Sequence, residues 1–100
     1  MKYLLMLCGD GTGGAMAGCD DWTAEMGERR VLHASLGLRP DADATTVRLR
    51  ADEVQLAAGP ADQIAGLYVV DCSDLDEAIE VASRHPWARS GRIEVRPVWP

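Results

Sequence analysis

A chain of 100 residues with 47% apolar and 26% charged residues has the make-up of a folded domain, long enough for one core and too short for two. Ten cations against sixteen acids give a net charge of −6, which excludes a nucleic-acid partner, since phosphate binding needs clustered Lys and Arg and Lys2 is the sole lysine. No stretch is long and apolar enough to span a bilayer, and the Met1–Cys8 run lacks a signal peptide's length, so no membrane association and a cytoplasmic location are expected.

Lys2 to Cys8 is apolar on both faces of a period-2 pattern, Tyr3, Leu5 and Leu7 on one and Leu4, Met6 and Cys8 on the other. That predicts a central strand covered on both sides and stopped at Gly9. Residues 9 to 18, rich in glycine, read as a loop. Ala15, Cys19, Trp22 and Met26 recur at helical spacing and predict a first helix from about Ala15 to Arg29, weakened by Gly18 and Gly27.

Val31 to Leu36 reads as a second strand and Arg39-Pro40-Asp41 as a turn. In Thr45 to Arg50, Thr45, Val47 and Leu49 alternate with Thr46, Arg48 and Arg50, the pattern of a half-buried strand. Ala51-Asp52 turns the chain into a partner strand, Glu53 to Ala57, which Gly59-Pro60 breaks. Ile64 to Asp71 is a further β-rich run. In the second helix Leu75, Ala78, Ile79 and Ala82 form one apolar stripe, Ser73 or Asp74 caps the start with Glu77 placed as in a capping box, and Pro86 stops it. Arg92 to Trp99 alternates Ile93, Val95 and Trp99 against Arg92, Glu94 and Arg96, and Pro97 marks an edge position or the strand's end.

The order β-α-β, β-hairpin, β-α-β defines one α+β domain over residues 1–100, with two helices on one face of an antiparallel or mixed sheet. The other face is left for a second copy to cover. Cys8, Cys19 and Cys72 are odd in number and lack CxxC spacing, so they predict small core residues rather than a disulfide framework or a metal site.

Three residues are candidates for acid–base chemistry. His85 sits at the end of the second helix, where the dipole and unpaired carbonyls favour an imidazolium; it is a candidate general acid or base, or simply a helix-ending residue that fixes the turn before Pro86. Asp10, at the end of the first strand, is the candidate acidic partner and also a good turn residue. His33 shares a strand face with Val31 and Ser35 and is either a candidate partner of His85 or a half-buried strand histidine. Two histidines without a third ligand give no metal site. Gly9-Asp10-Gly11-Thr12-Gly13-Gly14 matches G-x-G-x-x-G formally, but the chain is too short for a dinucleotide fold and the region near residue 30 offers Arg29, Arg30 and Leu32, so no cofactor is expected. Trp87 and Trp99 are read either as core residues or as contacts of a dimer.

An ordered set of short stretches resembles the YCII-related family, in its DGPF branch: Met1-Lys2-Tyr3-Leu4-Leu5, Gly37-Leu38-Arg39-Pro40, Ala44-Thr45-Thr46-Val47-Arg48, Gly59-Pro60, Gly66-Leu67-Tyr68 and Asp74-Leu75-Asp76-Glu77-Ala78. His85-Pro86, Gly91 and Glu94-Val95-Arg96-Pro97-Val98 close the set and are its most specific part. The resemblance implies a ferredoxin-like βαβ(ββ)αβ fold with a mostly antiparallel sheet, assembled as a homodimeric α+β barrel with a small-molecule cleft near the interface. It makes Gly59, Pro60 and Tyr68 candidate ligand-binding residues. It also implies a small-molecule binder or acid–base enzyme or, alternatively, a regulatory module that partners a sigma factor. The departures are specific: Asp-Gly-Pro-Phe becomes Ala58-Gly59-Pro60-Ala61, the loop after it is short, and Arg30 stands after the first helix where a glycine is common, so that helix is expected to end differently. In the family's His–Asp pair the Asp precedes the Pro and the His lies in the first helix; here His85 precedes Pro86 and the first helix has no histidine.

Overall fold

Ten short elements follow one another in the computed structural model, which describes residues 1–9, 19–60 and 62–100. They are β1 (Lys2–Cys8), α1 (Cys19–Glu28), β2 (Leu32–Gly37), a single 3-10 turn (Asp41–Asp43), β3 (Thr45–Arg50), β4 (Glu53–Ala58), β5 (Ile64–Asp71), α2 (Leu75–Ser83), α3 (Trp87–Ser90) and β6 (Arg92–Pro97). Four strands form a sheet in the order β2-β5-β1-β6 with all neighbours antiparallel, and β3 and β4 form a separate two-stranded hairpin. This is the expected ferredoxin-like order with a hairpin inserted between its halves. The central place of β1 and the edge place of β6, with Pro97 at its end, agree with the sequence reading.

One face of the sheet carries the core. Tyr3, Leu5 and Leu7 of β1 and Tyr68 and Val70 of β5 are buried with Trp22 and Met26 of α1 and Ala78, Val81 and Ala82 of α2. Strand alternation then sends Leu4, Met6, Leu67 and Val69 to the opposite face, which no helix covers among the described residues. Within the described residues β1 is thus covered by helices on one side, not on both. The stripe of α2 also differs from the sequence reading: Val81 is buried, while Leu75 and Ile79 stay about half exposed. The hairpin departs furthest, because both its strands are exposed along their whole apolar face instead of half-buried.

Local chemistry sets the helix ends. Asp74 caps α2, its Oδ1 accepting from the Glu77 N–H at 2.9 Å, while Glu77 Oε1 accepts from the Ser73 N–H at 2.8 Å. An ion-pair cluster joins the two helices, with Arg29 to Glu80 at 3.1 Å and Arg84 to Glu25 at 2.8 Å. At the end of α1 the Arg30 N–H donates to Gly27 O and the Val31 N–H to Met26 O, both at 3.1 Å. Those two bonds make the Schellman turn that normally uses glycine. The expected different ending is thus not found; Arg30 itself takes the left-handed conformation, at φ 59°. A side chain there costs about 1 kcal/mol. Arg30→Gly is therefore expected to stabilise the fold by about 0.5–1 kcal/mol in urea unfolding, with an unchanged m-value.

Among the described residues no helix is long and apolar enough to cross a membrane.

Candidate functional site

Among the described residues the one buried polar or charged side chain is His85, 1% exposed, on the short link between α2 and α3. Its ring packs edge-on against Trp22 of α1, with centroids 4.9 Å apart, and tilted against Tyr68 of β5 at 5.2 Å. Three separate elements therefore hold it. The Trp87 N–H donates to His85 Nδ1 at 3.0 Å, so Nδ1 carries a lone pair and the ring proton sits on Nε2. Nε2 in turn lies 3.0 Å from the Tyr68 hydroxyl, to which it donates. Burial pushes the His85 pKa down, and a proton on Nδ1 would collide with the Trp87 N–H. The imidazolium favoured by the helix dipole in the sequence reading is therefore not the state of this ring; desolvation wins over the dipole.

Tyr68 is the other half of the pair. Burial first, then the Cys19 side chain that hydrogen-bonds it and the charge of Asp20, push its hydroxyl up to about 12. It is fully protonated at neutral pH and serves as a donor, not as a base. With His85 bonding to its oxygen, its own proton is free to point to the start of α1. Two indole bonds fix the frame around the pair. Trp22 Nε1 donates to Val81 O and Trp87 Nε1 to Cys8 O, each at 2.9 Å, tying α1 to α2 and α3 to β1. Trp87 is 3% exposed and Trp99 93%, so the two tryptophans grouped in the sequence reading part company: the first is core, the second is surface.

Of the sequence candidates, His85 and Tyr68 come together. His33 does not join them: it is exposed at an irregularity of β2 between Leu32 and Ala34. Asp10, with the whole Gly9–Gly14 motif beyond Gly9, lies outside the described residues, as does Ala61. Gly59 and Pro60 are at the base of the hairpin, lining a depression of about 390 Å³ with Thr46, Arg48 and Gln55. Gly59 has φ 95°, which only glycine takes without strain. Its N–H donates to Ala44 O and its carbonyl accepts from Thr46 Oγ1, both at 2.8 Å, closing the hairpin. Sequence reasoning missed Trp22 and Cys19 as neighbours of this pair, because only the packing of α1 against β5 and α2 brings them to it. Among the described residues no cluster of His, Cys, Asp and Glu could hold a metal.

An antiparallel sheet in the order β2-β5-β1-β6, with two helices on one face and a buried histidine–tyrosine pair between them, defines a ferredoxin-like α+β protein. The model of the YCII-related domain matches residues 11–100, and the chain belongs to that family. An uncharacterized protein of Rhizobium meliloti (strain 1021) is 37% identical over 67 residues, which cover 61% of this chain and 54% of the relative; the match thus spans about half of that relative's length. Among solved structures, 5-chloro-2-hydroxyhydroquinone dehydrochlorinase of Burkholderia phenoliruptrix, in complex with 2,5-dihydroxybenzoquinone, has a similar fold. That likeness has a TM-score of 0.54 at 14% identity and covers 100% of this chain and 94% of the other.

Proposed function

We propose that residues 1–100 act as one domain, a divergent member of the DGPF branch, that binds a small molecule as a cytoplasmic homodimer and acts on it by acid–base chemistry. The hydrogen-bonded His85–Tyr68 pair carries this reading. Tyr68 is the group that meets the ligand, as hydrogen-bond donor or general acid, since its raised pKa keeps the proton in place. His85 is a positioning residue: its Nε2–H bond to the phenol oxygen makes the Tyr68 O–H a stronger donor and holds its direction. Asp10 supplies the acidic partner at the end of β1, and Gly59 and Pro60 line the ligand's second side. His33 has no part in the proposal.

The test uses native mass spectrometry on protein purified without stripping, followed by titration with 2,5-dihydroxybenzoquinone and a panel of phenols and hydroxy acids. A retained small molecule, or a panel compound whose affinity drops at least tenfold in Tyr68→Phe, supports the reading. A ligand-free mass together with no binding from the panel overturns it. The acid-rich start of α2, Asp74, Asp76 and Glu77, favours a second reading, an interaction module for a protein such as a sigma factor. Capture of a sigma factor that is lost on reversing the acids of α2 would favour that reading.

A further inference from the structure

The hairpin β3–β4 has no support of its own. Val47 faces Leu56 and Leu49 faces Val54 across the ladder, so all four share one face, and they are 62%, 69%, 59% and 68% exposed. That is an uncovered apolar patch of roughly 500 Å², near the upper end of what a monomer shows. An isolated two-stranded hairpin is marginal in water. Covering this face would take its apolar surface out of water and support the pairing of the two strands.

A matching surface exists on the same molecule. On the uncovered sheet face, Leu36 of β2, Leu67 of β5 and Met6 of β1 form one cross-strand row, and Ala34, Val69 and Leu4 the next. Both rows end on β6 in charge, at Glu94 and Arg96. The hairpin cannot fold back onto this face within its own chain. Its base is pinned by Gly59 N–H to Ala44 O at 2.8 Å, and the chain on either side is stitched to the sheet end by Leu38 N–H to Ala65 O and Gly9 N–H to Gln63 O, each at 3.0 Å. With these bonds in place the molecule extends 47 Å by 35 Å and is only 17 Å thick. Its radius of gyration is 15.2 Å, where a compact chain of this length has about 13 Å.

We propose that the hairpin is an exchanged arm: the Val47–Leu49–Val54–Leu56 face of each copy docks on the uncovered sheet face of a second copy. The exchange rests on the homodimer proposed above and specifies how it is built. Two such contacts related by a two-fold axis bury roughly 2,000 Å² in total, the size of a stable dimer interface, whereas a single arm contact would fall short of it. The exchange also brings the depression at the hairpin's base, lined by Thr46, Arg48, Gln55, Leu56, Gly59 and Pro60, beside the partner copy.

Sedimentation of Leu49→Lys combined with Val54→Glu tests this. The two new residues oppose each other, and their opposite charges keep the hairpin paired while making its face polar. The wild type is expected at twice 10.8 kDa at about 10 μM, and the double variant at 10.8 kDa with unchanged circular dichroism. A double variant that dimerises as tightly as the wild type overturns the arm exchange and leaves the homodimer standing. A monomeric wild type overturns both. Isotope-filtered NOEs in a mixed labelled and unlabelled sample give a second readout: methyls of Val47 and Leu56 should see Met6 and Leu67 of the other chain. Their absence in a sample shown to be dimeric also overturns the exchange.

Discussion

Gly91→Ala is expected to lower the melting temperature by about 15 °C, corresponding to roughly 3 kcal/mol for a chain of this size. Gly91 lies between α3 and β6, with φ −133° and ψ −143°. Space argues for glycine here. A Cβ at this position would stand 2.5 Å from Trp87 Nε1 and 2.8 Å from Cys8 O, the two atoms joined by the indole hydrogen bond. Both are held: Trp87 is buried, and the Cys8 carbonyl belongs to the central strand. Relief requires moving the indole, which gives up a partly buried hydrogen bond and repacks a core ring, each costing about 1–3 kcal/mol. Differential scanning calorimetry measures the loss. A shift below about 3 °C would show that the indole moves without penalty.

His85→Leu is expected to cost about 3 kcal/mol and to change the pH dependence of stability. The substitution takes the His85 partner from the Tyr68 hydroxyl and leaves the Trp87 N–H unpaired in a buried place. The pH effect has a fixed sign. Burial holds the folded His85 below its unfolded value of about 6.5, so the unfolded chain takes up a proton that the folded chain refuses. The wild type keeps this stability above about pH 6.5 and loses it, at up to about 1.4 kcal/mol per pH unit, as acid is added down to the folded value. Urea midpoints between about pH 7 and pH 5 should fall steeply for the wild type and less for His85→Leu, the difference being the share of His85. Parallel profiles would show that folding leaves the His85 pKa where the unfolded chain has it.

What the sequence could disclose was what depends on near neighbours. The Asp74–Glu77 cap, the breaks at Pro86 and Gly59, and the strand Ile64–Asp71 are written in spacings of a few residues, and the structure has them. The turn at Arg30 shows where that reading stops. A side chain normally argues against the left-handed conformation, but the buried contact of Met26 with Val31 and two backbone bonds hold it regardless. The candidate site was half visible. His85 and Tyr68 were both marked, but not as one unit, because their meeting depends on β5 lying beside β1 and on α2 crossing above them. The protonation of His85 could not be read either, since it is set by the Trp87 N–H on a short helix that no periodicity announces. The hairpin's alternation was legible as strand and misleading as burial, because alternation tells which residues share a face and not what lies against it.

The position of β1 has a consequence for the making of the protein. Lys2 is matched with Asp71 in one neighbour and Tyr3 with Pro97 in the other, so the central strand waits for partners synthesised some seventy and ninety residues after it. At about 5–20 residues per second, the growing chain carries an unpaired apolar strand for several seconds on the ribosome. Contacts of such long range also close slowly once the partners exist. Leu4, Leu5, Met6 and Leu7 thus stay open to a chaperone through that interval, and the sheet closes only once β6 is free to join it.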